Sequence, residues 1–324
     1  MNLNFLNYCK KISSRRAFVC GVRGTKLNKQ EISFLKKYKP WGIILFSRNI
    51  KSINQTKDLT NNLKKIFNDN KYPIIIDEEG GKVSRLRNII DNSIFSAKYF
   101  GKLFTKDKNK FNTYLAVYIK QISYLLNLMG INHNTVPVLD LFRKNYHKII
   151  GDRSFSNDPE IVSQIGDISI REFHKNKINT IIKHIPGHGL SKVDSHKQQP
   201  IVNKNISYLK KNDFLAFHKK KSYLAMTAHI IYNKIDSKYN TTHSKKVIDM
   251  IRNEIKYKNI LISDDISMKA LKYSLRENTR RAFEAGCNIV LHCNANINEM
   301  VIVAKNSPVL SKFLIKKTSQ IAKI

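Results

Sequence analysis

Acidic residues are scarce in this 324-residue chain: 24 Asp and Glu stand against 58 Lys and Arg, a formal net charge of +34. A field of that sign attracts polyanions, so nucleic-acid binding is the first function class it raises. The lysines, however, are spread over nearly the whole chain, and no RNA-binding or zinc-finger motif accompanies them. Ile, Asn and Lys are abundant together, a bias that an AT-rich coding sequence produces with no functional demand behind it. The basic surface is therefore read as solvated, with no specific nucleic-acid partner. Long hydrophobic runs are lacking as well. No window holds about 18 consecutive apolar residues, so no membrane span is expected. Met1 to Arg16 is polar and basic and has no apolar h-region, which argues against export. A cytoplasmic location is expected, with residues 1–16 read as a loosely ordered basic N-terminus. Cysteines are few: Cys9, Cys20, Cys287 and Cys293 form neither a CxxC pair nor a disulfide framework, which fits a reduced cytosol. Disorder is excluded by a hydrophobic content of 42%.

What the chain does have is alternation. Short apolar runs occur at Ala17–Val22, Gly42–Phe46, Pro73–Ile76, Asn134–Leu139, Thr180–Lys183, Tyr223–Thr227, Ile260–Ile262 and Asn288–His292. Such runs, rich in β-branched residues, read as strands buried on both faces of a parallel sheet. Between them lie longer lysine-rich amphipathic stretches, among them Asn28–Lys39, Ile53–Asn68, Pro159–Asn176, Tyr208–Lys219, Lys245–Tyr257 and Leu275–Ala285. Ile297–Ile324 reads as closing helices. Eight β-then-α units in one chain imply an α/β fold closed into a (β/α)8 TIM barrel, a single domain over residues 1–324. Asp77, Asp140, His184, His229, Asp264 and Asn294 all stand at the ends of runs. In a barrel those ends share one face, the one that carries the active site.

Four segments hold the chemistry. In Ile76-Asp77-Glu78-Glu79-Gly80-Gly81-Lys82-Val83-Ser84-Arg85, paired glycines permit positive φ and close backbone approach. Asp77 can accept from two neighbouring hydroxyls while Arg85 donates; the competing reading is a tight loop with a structural ion pair. Lys183-His184-Ile185-Pro186-Gly187-His188-Gly189 runs on to Asp194-Ser195-His196. Its Pro and Gly residues prevent a helix and leave a long shaped loop, a kind that is usually functional. Asp194 can take the Nδ1 proton of His196, hold its tautomer and favour the imidazolium. The rival is a metal site of His184, His188, His196 and Asp194, but the loop lacks the regular spacing of zinc ligands on a helix face. In Ser263-Asp264-Asp265-Ile266, Asp264 is placed to point into the barrel mouth, and Asp265 to cap the next helix or to pair with a cation; both being caps is the alternative. Ile150-Gly151-Asp152-Arg153 is either a simple turn or a donor to substrate hydroxyls or a carboxylate.

Together these segments resemble the bacterial β-N-acetylglucosaminidases of glycoside hydrolase family 3, the single-domain NagZ type. The matching stretches are PWGIILFSRNI, IIDEEGGKVSRLR, VPVLDL, IGDRSFSNDP, KHIPGHG with DSH, MTAHIIY, SDDISMKAL and AGCNIVLHCN, in family order from Pro40 to Asn294. The resemblance implies an exo-acting, retaining β-N-acetylhexosaminidase that removes terminal N-acetylglucosamine from cell-wall muropeptide fragments containing anhydro-N-acetylmuramic acid, a peptidoglycan-recycling step. It implies Asp264 as nucleophile, His196 as acid/base with Asp194 as its partner, and Asp77, Arg85, Arg153, Lys183 and His184 as holders of the sugar hydroxyls. No cofactor and no metal are expected, and a monomer is. Two positions depart from the pattern: Glu78 replaces the usual glutamine and Lys82 the usual arginine.

Overall fold

A computed structural model describes residues 3–144, 146, 149–195 and 198–324. Eight parallel strands close into a barrel in the order β1-β2-β3-β4-β5-β7-β9-β10, with β10 pairing back on β1. They are β1 (Arg16–Gly21), β2 (Pro40–Leu45), β3 (Ile74–Ile76), β4 (His133–Asn134), β5 (Asn179–Ile185), β7 (Leu224–Thr227), β9 (Ile260–Asp265) and β10 (Ile289–His292). Seven of them overlap the apolar runs read from the sequence, and β4 meets its run at Asn134 alone. A separate two-stranded parallel pair, β6 (Ile201–Val202) and β8 (Ile231–Tyr232), was not foreseen.

The strands are apolar on both sides because both sides are buried, and successive residues serve different cores. Ala17, Val19, Ile44, Ile75, Ile181, Ile260, Ile262 and Leu291 fill the barrel interior. Their neighbours Phe18, Cys20, Ile43, Leu45, Ile74, Ile76, Ile182 and Leu261 face the surrounding helices. Leu310, Leu314 and Ile321 join the interior cluster. They belong to the C-terminal segment, and Thr318 there accepts a 2.8 Å hydrogen bond from Trp41 Nε1. That end of the barrel is packed, so the opposite end is where a cavity has room.

The helices begin where side chains can satisfy their first free N–H groups. Asn28 and Glu31 form a reciprocal capping box at Lys29–Tyr38. Asp158 accepts from the N–H groups of Glu160 and Ile161, with Pro159 at the first turn of Pro159–Lys175. Gly286, at φ 112°, ends Leu275–Ala285 in the left-handed conformation. Two expectations are corrected. The N-terminus is not loose throughout: Leu3–Ile12 is helical. The expected helix over Tyr208–Lys219 is two, Ile206–Lys211 and Asp213–Phe217. Asn212 breaks it, its amide donating to Tyr208 O at 3.0 Å in competition with the helix ladder. Strand β4 is shorter than the run Asn134–Leu139, since Pro137 has no N–H to give; pairing resumes as a single bridge between Val138 and Lys183.

The break at Asn212 delivers Asp213 to the underside of the loop that follows β5. A side chain on Gly187, at φ 142°, would lie 2.8 Å from Asp213 Cβ, so glycine is required there. Asp213 is buried, its carboxylate 3.4 Å from Arg143 Nη2, and among the described residues its Oδ1 has no hydrogen-bond partner. Burial pushes its carboxyl up to about 6, against the pull of Arg143. An acid raised in the folded state binds more protons folded than unfolded between about pH 4 and 6. Its contribution is therefore complete below the ordinary carboxylate range and is lost as pH climbs to about 6. The gap is worth on the order of 3 kcal/mol. Urea unfolding of wild type and Asp213→Asn between pH 4 and 7 should show wild type losing stability relative to the variant by that order as pH rises. A difference that is flat with pH would contradict the assignment.

Candidate active site

At the carboxyl ends of the strands lies a cavity of about 470 Å³. Asp77, Arg85, Arg153, Lys183, His184, Asp194 and Asp264 all line it, seven of the eight residues read from the sequence. The eighth, His196, lies outside the described residues.

The grip begins at the end of β3. Asp77 Oδ2 accepts from Arg85 Nη2 at 2.6 Å, and its Oδ1 accepts from both Lys183 Nζ and Thr135 Oγ1. Lys183 also reaches Thr135 Oγ1 at 2.8 Å and Glu79 Oε1 at 2.5 Å. Glu79 in turn takes both arms of Arg153, Nε and Nη2, at 2.8 Å each. Burial alone would push these carboxyls up. Lys183 and Arg85 outweigh it at Asp77, and Arg153 and Lys183 at Glu79, so both are held below the ordinary range and ionised. Glu79 was not singled out in the sequence. Its signal was alternation, since it stands two residues from Asp77 and shares Lys183 with it.

Lys183 and His184 are consecutive and both line the cavity, although neighbours on a regular strand diverge. The register of β5 on β7 shifts between Lys183 and Ile185, an irregularity that re-aims side chains. His184 is held by Asp140. Its Nδ1 lies 2.6 Å from Asp140 Oδ2, and the same carboxylate accepts from the backbone N–H groups of His184, at 3.2 Å, and His188, at 2.6 Å. Asp140 was noted only as a residue at a run end; it is the anchor of this corner. His188 is buried, its Nε2 3.1 Å from Ser195 Oγ, and burial draws its imidazole down to about 4, so it is neutral. That contact ties the strand end to the segment bearing Asp194, whose carbonyl accepts from Gln198 N at 3.0 Å. Among the described residues no three His, Cys, Asp or Glu side chains are grouped to hold a metal.

Opposite the grip, β9 runs on to Asp265, three residues past the expected end. Asp264 and Asp265 both reach the cavity, and the register of β10 on β9 shifts between Ile289 and Leu291 beside them. Asp264 Oδ1 accepts from Asp265 N at 2.8 Å. Asp265 Oδ1 accepts from Ser267 N at 3.0 Å and Ser267 Oγ at 2.8 Å, closing a turn rather than capping the next helix, whose N-cap is Ser274. His229 backs this pair, with Nε2 3.0 Å from Asp265 O and Nδ1 2.8 Å from Thr242 Oγ1. Burial lowers its pKa, so the imidazole is a neutral support. Cys293 lines the same wall, its thiol pushed up by burial and by Asp265, Asp264 and Asp77. One wall thus carries paired cations and carboxylates with donors and acceptors to spare, and the other presents a carboxylate. The combination suits a neutral, hydroxyl-rich ligand attacked by an oxygen nucleophile.

Comparisons with known proteins agree with this geometry. The family model described as "Glycosyl hydrolase family 3 N terminal domain" matches residues 10–323. Beta-hexosaminidase of Nitrosomonas eutropha is 30% identical over 283 residues, 84% of this chain and 79% of that protein. Native NagZ from Neisseria gonorrhoeae superposes with a TM-score of 0.85 at 27% identity, over 95% of this chain and 90% of that one. The same enzyme in complex with N-trifluoroacetyl-D-glucosamine superposes with a TM-score of 0.80 at 25% identity, over 96% and 98% of the two chains. With its barrel, its cavity and its family model in agreement over nearly the full length, the chain belongs to glycosyl hydrolase family 3.

Proposed function

We propose that this chain is an exo-acting, retaining β-N-acetylhexosaminidase that hydrolyses terminal non-reducing N-acetylglucosamine, with residues 1–324 acting as one catalytic domain. The observation that carries the reading is that Asp264, from the end of β9, opens on the same cavity as the Asp77–Arg85–Lys183 cluster from β3 and β5. A cavity over a packed barrel interior admits the end of a sugar chain rather than its middle. Curated relatives named Beta-hexosaminidase, and the relative's complex with an N-acylated glucosamine, support the acetamido sugar.

In this mechanism Asp77, Arg85, Arg153, Lys183 and His184 hold the sugar hydroxyls. Asp77 fixes Arg85 and Lys183, Glu79 fixes Arg153 and Asp140 fixes His184, leaving outward lone pairs and N–H bonds for the substrate. Asp264 attacks the anomeric carbon as the bond to the leaving oxygen breaks, giving a covalent glycosyl-enzyme. His196, oriented by Asp194, gives its proton to that oxygen and then takes one from the water that releases the sugar. The finer substrate is a muropeptide fragment carrying anhydro-N-acetylmuramic acid, met in the cytoplasm by a monomer. Supporting an acidic aglycone, Lys82 stands on the cavity wall with its side chain 79% exposed. Supporting a site away from bilayers, no helix among the described residues is long and apolar enough to cross a membrane.

The class is tested by comparing hydrolysis of a nitrophenyl β-N-acetylglucosaminide with the matching glucoside; a strong preference for the acetamido sugar is expected, and equal rates would sink the reading. Asp264→Ala should fall to the background rate on the preferred substrate with its unfolding midpoint unchanged. If Asp265→Ala is the dead variant instead, the nucleophile is misassigned by one residue. His196→Ala should lower kcat/KM for a substrate with a poor leaving group by about 10²–10⁴-fold and for the nitrophenyl one far less, while the shared release step slows kcat for both. An equal loss of kcat/KM on both substrates would remove His196 as the proton donor.

A further inference from the structure

Glu78 lies between two residues of the grip and takes no part in the cavity wall. It is 1% exposed and is absent from the cavity lining to which Asp77 belongs. Its carboxylate is a collecting point for the loop that returns over β3. Oε2 accepts from Arg85 N at 2.6 Å, from Leu86 N at 3.1 Å and from Ser84 Oγ at 3.1 Å, while Oε1 accepts from Asn92 Nδ2 at 2.7 Å. Its own backbone is clamped to β4, because Asn134 Oδ1 accepts from Glu78 N at 3.0 Å and Asn134 Nδ2 donates to Glu78 O at 2.8 Å. One residue therefore connects the barrel frame to the stretch that carries Arg85, whose guanidinium meets Asp77 at 2.6 Å.

We propose that Glu78 is a positioning residue for the substrate grip: its acceptor oxygens, rather than its charge, fix the backbone at Ser84–Leu86 and so set the reach of Arg85 into the cavity. Among the described residues Glu78 makes no ion pair, and all its partners are neutral donors. The charge is thus dispensable in a way that the oxygens are not. A glutamine can present its Oε1 to the three loop donors and turn its Nε2 towards Asn92. Among the described residues Asn92 Oδ1 has no hydrogen-bond partner, so rotation of that amide supplies the matching acceptor. Leucine has nothing to offer the three donors: the Arg85 N–H loses its acceptor, and the Leu86 N–H keeps only the longer 3.3 Å bond to Ser84 Oγ.

The kinetic part rests on the reading of Arg85 as a donor to the sugar; the structural part does not, and the experiment separates them. Amide hydrogen exchange across residues 83–92 and steady-state kinetics on the nitrophenyl β-N-acetylglucosaminide are measured for wild type, Glu78→Gln and Glu78→Leu. The Gln variant should keep the exchange protection of Arg85 and Leu86 and a KM within about twofold of wild type, whereas the Leu variant should lose protection and raise KM about tenfold with a smaller change in kcat. Should the Leu variant not fold, Glu78→Ala, whose vacated space admits water, carries the same two readouts. Undiminished protection in the Leu or Ala variant overturns the proposal, as does lost protection with an unchanged KM. A Gln variant that behaves like Leu overturns the claim that oxygens rather than charge matter. Absence of wild-type turnover would sink the hexosaminidase reading alone, because the exchange arm still decides whether Glu78 holds Arg85.

Discussion

The site depends on a buried ammonium shared between two carboxylates. Lys183 is 2% exposed and is paired with both Asp77 and Glu79, which in turn hold Arg85 and Arg153. Taking five charges out of water is costly, and such a cluster persists only when nearly every donor and acceptor is met. A well-packed apolar group would serve stability as well or better. The value of the cluster lies in what it holds ready: rigid, charged hydrogen-bonding groups at fixed separations along one wall of a cavity. Removing one member leaves the others buried and unpaired, so the wall works as a unit.

The barrel explains how residues more than a hundred positions apart meet at this ammonium. Asp77 and Glu79 follow β3, Thr135 follows β4 and Lys183 ends β5, three consecutive strands of the closed sheet. Parallel strands put all their carboxyl ends at one face, and short apolar runs show where those ends are. That is why the strands, and the placing of Asp77, His184 and Asp264 at one face, were legible before any coordinates, whereas Arg85, Arg153, Lys183 and Asp194 were read from their segments and from the family resemblance. The physical signal is burial on both faces, which leaves little ambiguity in a run such as Ile-Ile-Ile followed by Asp.

What was not legible has a different physical origin. Regular alternation would put either Lys183 or His184 into the cavity, and either Asp264 or Asp265. The register shifts beside both pairs bring all four there, and a shift of register leaves no trace in hydrophobic periodicity. Supporting carboxylates were equally hidden. Asp140 holds His184 and His188, and Glu79 holds Arg153, yet in sequence each is one more acidic residue near a strand end. Asn212 ended a helix that amphipathic spacing predicted would continue, because the competition came from its own side chain and from Arg143 across the loop.

The charge on the grip also bears on why the proposed proton donor is an imidazole. Most glycosidases place a second carboxylic acid in that role, its pKa raised so that it stays protonated. Here three cations, Arg85, Arg153 and Lys183, face two carboxylates, Asp77 and Glu79, and they hold both of those carboxyls ionised despite burial. A further carboxyl placed under the same field would be drawn toward its ionised form and make a poor acid. A histidine with its own carboxylate partner would escape this, since in the proposed pairing Asp194 would favour the protonated ring locally. The root of the loop is fixed to suit: Tyr232 Oη donates to Gly187 O, Asp140 accepts from His188 N, and His188 meets Ser195. Gly187 and His188 are thereby anchored by Tyr232 and Asp140, and Ser195 reaches back to His188, so the residue after Asp194 is held to the root of its own loop.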